Sequence, residues 1–188
     1  FEGQGKLAQY RQALELDEMI HAREPRNASF RSNLAWSYQR MADLGPVLLD
    51  PVVDRPAFLL KAISVFERIT QSESAPASEY HGLCIVTWRL STSMEQSGDL
   101  EAARRLNLDA VSACRSAVEL ESNNPTFLRD LANTLVALSN HSQILGDSTE
   151  TYRLLDEAEI LFLRLSNDAP TNAVDIIALA NIAQYRAE

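Results

Sequence analysis

The stretch that decides the fold is 124–147, NPTFLRDLANTLVALSNHSQILGD. It opens on Asn124 and Pro125, which suit an N-cap and the first position of a helix. Phe127, Leu131, Leu135 and Leu138 then recur at intervals of three and four, lining one face of an α-helix. It closes on Gly146-Asp147: glycine suits the left-handed residue that ends a helix, and aspartate caps the next one. At its centre stands the pair Leu131-Ala132, and that pair returns. Leu34-Ala35, Leu83-Cys84, Leu131-Ala132 and Leu179-Ala180 follow one another at 49, 48 and 48 residues. Gly98-Asp99 likewise precedes Gly146-Asp147 by 48. A fixed interval of this size is the mark of an internal repeat.

Working outward, the same pattern accounts for nearly the whole chain. Four helices carry the leucine pair (A helices), and four partners alternate with them (B helices). Leu7, Tyr10 and Leu14 open the first B helix, Ala62, Phe66 and Ile69 mark the second, Leu106 to Leu120 the third and Leu154 to Leu165 the fourth. The order is B-A-B-A-B-A-B-A, with helices expected over 4–23, 27–44, 57–72, 77–97, 99–122, 125–145, 148–167 and 171–187. Pro25, Pro76, Pro125 and Pro170 separate each B helix from the A helix after it, because proline is tolerated in a first turn and not in an interior. Gly5 is expected to occupy a turn before the first B helix. Residues 45–56 hold three prolines and five aliphatic residues and read as a loop packed over a helix pair. The fold class is therefore all-α, an α-α superhelix of about four antiparallel helix pairs, in one domain over 1–188.

Composition sets outer bounds. The 188 residues carry a formal net charge of −9, which disfavours phosphate backbones and anionic lipid, so neither nucleic acid nor membrane insertion is expected. Apolar runs are only a few residues long, far short of a bilayer span. The chain opens on Phe1, and we read it as a fragment of a longer protein, with a cytoplasmic placement expected. Cys84 and Cys114 sit in apolar helical patterns, where a free thiol behaves as a small hydrophobe. A bridge between them is the alternative.

The pattern resembles tetratricopeptide repeats. In that family helix A carries leucine, a small residue, then tyrosine four after the leucine, and Leu34, Ala35 and Tyr38 match. Leu131, Ala132 and Leu135, and Leu179, Ala180 and Ala183, match more loosely. Helix B carries a small residue, an aromatic, an apolar residue and proline, matched by Ala158, Phe162, Leu165 and Pro170. Ala113, Ala117, Leu120 and Pro125 follow with the aromatic replaced, and Ala13, Asp17, Ile20 and Pro25 keep only the ends. The period is near 48 rather than the family's 34, about two extra helical turns per helix. This resembles the long-repeat arrays attached to bacterial signalling and regulatory proteins. The resemblance implies a solenoid that binds a peptide or protein partner on its concave face.

No catalytic constellation is present. Gly-rich phosphate loops, nucleophile elbows and paired metal-binding histidines are all missing from the sequence, so neither enzymatic activity, nor a cofactor, nor a metal site is expected. Glu18, His21 and Glu24 share a helix face, which reads as a solvated polar surface. Residues beside the repeat leucine should face the groove, and the candidates are Arg31, Trp36, Arg129, Asn133 and Asn181. Asn133 and Asn181 each lie two residues after that leucine, where a side-chain amide can both donate to and accept from an extended peptide backbone. The alternative is a spacer or self-association module. The terminal helix 171–187 is apolar on more than one face (Ile176, Ile177, Leu179, Ile182, Tyr185), so pairing with another copy as a homodimer is the competing expectation.

Overall fold

The structure, a computed structural model, describes residues 2–48, 54–72, 74–169 and 172–186, with side chains only for 5–44 of the first stretch. Among the described residues there are eight α-helices and no strand: α1 (Glu2–Arg23), α2 (Ala28–Leu48), α3 (Arg55–Thr70), α4 (Ala77–Gln96), α5 (Leu100–Leu120), α6 (Pro125–Ile144), α7 (Ser148–Asp168) and α8 (Ala173–Tyr185). The A helices are α2, α4, α6 and α8. The B helices are α1, α3, α5 and α7.

Caps set the repeat's punctuation. Asp54, Asp99 and Asp147 open the B helices α3, α5 and α7, each accepting from the backbone N–H three residues on, at 3.0, 3.0 and 3.1 Å. Asn27, Asn124 and Asn172 open the A helices α2, α6 and α8 in the same manner. Each such oxygen satisfies one of the helix's orphan donors. The Glu150 carboxylate does not complete a capping box, because it is held by Arg153 at 2.6 and 2.7 Å. Gly98 and Gly146 end α4 and α6 at φ +86° and +78°, the left-handed conformation that favours glycine.

Each helix packs on its chain neighbours, and the A helices also touch one another, α2 on α4 and α4 on α6. That places the A helices in one layer and makes the array a superhelix of stacked pairs. Two apolar clusters fill it. One joins α1, α2, α3 and α4 around Leu34, Met41, Leu59 and Phe66. The other joins α4 to α8 around Leu128, Leu135, Leu154, Phe162 and Leu165. Leu83 in α4 packs against both. The repeat's small residue is fully buried at Ala35, Cys84 and Ala132, as close approach of helix axes requires. Gly82 adds a second close approach: a Cβ there would lie 2.5 Å from the Phe66 ring and 3.1 Å from Trp36.

Four expectations are corrected. Gly5 lies inside α1 rather than in a turn. α2 runs on through Gly45 and Pro46 to Leu48, so the expected loop begins later, and 49–53 lie outside the described residues. The proline-based register of the B helices is shifted: the Asn caps show that α5 and α7 are offset by 48, so Ala158 and Leu165 correspond to Ala110 and Ala117. Leu120, read as the repeat's apolar position, is accordingly 56% exposed. Finally, Cys84 in α4 and Cys114 in α5 are bridged, with Cα atoms 5.2 Å apart, both sulfurs buried.

Candidate functional site

The A-helix face repeats by position. Counting two residues on from each repeat leucine gives Trp36, Ile85, Asn133 and Asn181, one row across α2, α4, α6 and α8. The row is apolar at its first end and amide-bearing at its second. Trp36 is half-buried and set edge-on to Phe66 of α3, with ring centroids 5.2 Å apart. It fills space between helices and is held there by packing.

Asn133 and Asn181 line one cleft of about 520 Å³ between α6, α7 and α8. Val136, Leu155, Phe162 and Ile182 supply its apolar wall, and Asn140, Gln184 and Tyr185 add polar groups. Asn140 was absent from the expected set although it lies on the same helix face, seven residues after Asn133. Its Oδ1 is shielded from solvent and has no hydrogen-bond partner among the described residues. A half-buried, unsatisfied acceptor costs stability unless something donates to it. Three carboxamides over an apolar floor can offer both donors and acceptors to a bound backbone, with pockets for its side chains.

Arg129 is engaged elsewhere. Its Nε and Nη2 donate to the two carboxylate oxygens of Asp175 on α8 at 2.7 and 2.9 Å, and Asp175 is fully buried. Those hydrogen bonds pull the guanidinium pKa up, against burial, which pushes it down. The contact belongs to a series. Ser32 of α2 donates to Glu79 of α4 at 2.7 Å, and His81 Nε2 of α4 lies 2.7 Å from Asp130 Oδ2 of α6. Ser32, His81 and Arg129 occupy one repeat position, so each A helix is tied by a polar group to a carboxylate on the next. Arg89 of α4 adds a pair back to Asp43 of α2. Burial pushes the Arg89 pKa down, and the nearby Asp130 charge pulls it up.

Arg31 is half-buried on α2, and its Nε is shielded without a partner among the described residues. It sits at the position of Leu128, facing the following B helix rather than the row. The Glu18, His21 and Glu24 face is committed to structure in part: Glu18 accepts from the Tyr38 hydroxyl at 2.8 Å, and Glu24 from Asn27 at 3.3 Å. Among the described residues no three His, Cys, Asp or Glu side chains converge as a metal set, and no helix is long and apolar enough to cross a membrane.

No protein-family model and no curated protein matches the chain. Solved structures do. BtubC (BKLC) from P. vanneervenii aligns with a TM-score of 0.61 at 14% identity over 97% of this chain. The chain spans 63% of the length of that protein. A filament, DHF79, aligns at 0.36 with 13% identity, covering 97% of this chain and 99% of its own. The de novo designed helical repeat protein DHR64 aligns at 0.35 with 11% identity, covering 98% and 92%. At such identities the likeness to BtubC is one of fold: a helical repeat array.

Proposed function

We propose that the chain is a non-catalytic scaffold that binds an extended peptide or protein segment along its A-helix face. The observation that carries this is the shared cleft of Asn133 and Asn181. Two amides at one repeat position, on A helices one repeat apart, face a single apolar-walled groove. Spacing of that kind suits a repeating ligand, and a peptide backbone is the repeating ligand that carboxamides satisfy on both sides. The net charge of −9 steers the choice toward a partner with basic flanks. We place the scaffold within a larger bacterial signalling or regulatory protein. Disulfides persist in oxidising compartments and are rare in the cytosol, so the Cys84–Cys114 bridge weighs against a cytoplasmic placement.

The test is titration calorimetry against a panel of extended basic and neutral peptides. The best binder should lose at least about tenfold in affinity with Asn133→Ala and Asn181→Ala combined, since two net hydrogen bonds contribute about 1–3 kcal/mol together. Unchanged affinity in the double variant overturns the assignment of the cleft. A second reading, self-association, is favoured by a different observation, the exposed face of α8.

A further inference from the structure

Three A helices in this chain are covered by the B helix that follows them, and α8 is not. The covering contact has a fixed address. In α6 it is Leu128, Ala132 and Leu135, all buried in the cluster they share with α7. In α4 the equivalent Cys84 is bridged to Cys114 of α5, and in α2 the equivalent Tyr38 meets the Phe58 ring of α3. Moving 48 residues on from α6 gives Ile176, Ala180 and Ala183 in α8. All three are apolar and exposed, Ile176 by 47%.

The other end is open in the complementary sense. α1 is a B helix with no A helix before it. The Asn caps Asn27, Asn124 and Asn172 fix its register against α5 and α7. Ala13, Leu16 and Ile20 then correspond to Ala110, Ala113 and Ala117 in α5 and to Ala158, Leu161 and Leu165 in α7. Those six are buried or half-buried. In α1 the three are exposed, Leu16 by 54% and Ile20 by 38%. One end of the array thus presents the socket of an A/B pair, and the other end presents the matching helix.

We infer that the occupant of the open α8 face is α1 of a second copy, docked head to tail so that the B-A order continues across the junction. The interface copies one the chain already forms three times, at α2/α3, α4/α5 and α6/α7. Because the two patches differ, the contact is heterologous, and it propagates into open chains or closes into a ring. This inference is independent of the peptide cleft, whose amides lie on a different side of α8.

Sedimentation and light scattering of the 188-residue chain test it. The mass should rise with concentration past twice 20.9 kDa. Ala180→Glu blocks one end and Ile20→Glu the other, and each alone should weaken self-association at least tenfold. Both positions are exposed, so circular dichroism should show the fold intact. Mixed one to one, the variants should form a dimer that stops at two, since one open end of each kind remains. A chain that stays monomeric at every concentration overturns the inference. So does an Ile20→Glu variant that still dimerises, which would show α8 pairing with α8. Failure of the two variants to associate with each other overturns it equally, as does a longer form of the chain whose own next segment covers α8. Variants with intact peptide affinity but lost association separate this result from that of the cleft.

Discussion

Arg129 shows how a single side chain changes meaning once the fold is known. From sequence it is a cation beside a repeat leucine, free to meet a ligand. In the structure it is bound through two hydrogen bonds to Asp175, which has no exposure of its own. Removing one partner of such a pair leaves a buried carboxylate uncompensated, which costs about 3–5 kcal/mol when both are fully buried. Arg129 keeps 25% of its side chain in solvent, so water can reach the site and the loss belongs at the low end. Arg129→Ala is expected to lower thermal stability by about 3 kcal/mol, or about 6–12 °C for a chain of this size. Asp175→Asn added to that variant should restore part of it, because the stranded charge is gone. A melting temperature within a degree of the parent would show that Asp175 does not depend on Arg129. The pairing was not legible in sequence because its partners are 46 residues apart and meet only where successive A helices adjoin. Asn133 and Asn181 were legible because the repeat interval alone makes them equivalent. Asn140 was legible in principle, two helical turns from Asn133, but carried no repeat signal.

At the level of helices the repeat makes a differential prediction. Ala132 and Ala180 hold the same position, one under α7 and one in the open. Adding three carbons at Ala132 forces α6 and α7 apart or drives side chains off their rotamers, at about 1–3 kcal/mol. The same substitution at Ala180 meets no covering helix and should lie within about 0.5 kcal/mol of neutral. Chemical denaturation of Ala132→Leu and Ala180→Leu reads the difference directly. Equal losses would mean that the 48-residue equivalence fails at α8, and the docking inference would fall with it. Helix boundaries were legible to within a few residues because caps and glycine turns are local chemistry: Asp99, Asn124, Gly146 and Asp147 act within four residues of themselves. The B-helix register was not. Proline was taken as a fixed marker, yet Pro125 sits inside the first turn of α6, whereas Pro170 precedes the Asn172 cap. Alanine-rich α5 tolerates the mistaken alignment, since Ala110, Ala113 and Ala117 are interchangeable by type and distinguishable only by what lies against them.

The molecule as a whole is a one-dimensional stack, so its stability is close to a sum of helix-pair terms and neighbour terms. Interior helices have a neighbour on each side, and the ends have one. The difference is visible in what each buries. α4, α5 and α6 each bury side chains along their full length, and Cys84–Cys114 ties α4 to α5 covalently. α1 buries only Leu7 and Leu14 among its described apolar side chains, and α8 only Ile182. Segments with few buried contacts open at low free energy, and their amides exchange first. Hydrogen exchange of the dilute chain should therefore show α1 and α8 exchanging fastest and α4 to α6 slowest. Raising the protein concentration adds a discriminating step. Head-to-tail docking covers one face of α1 and one of α8, so protection should rise at those two helices together and leave α4 and α5 unchanged. A rise confined to α8 would point to α8 pairing with itself, and a uniform rise would point to a general change in the native state. No rise at any concentration, in a sample where scattering shows association, would place the contact on some other surface of the array.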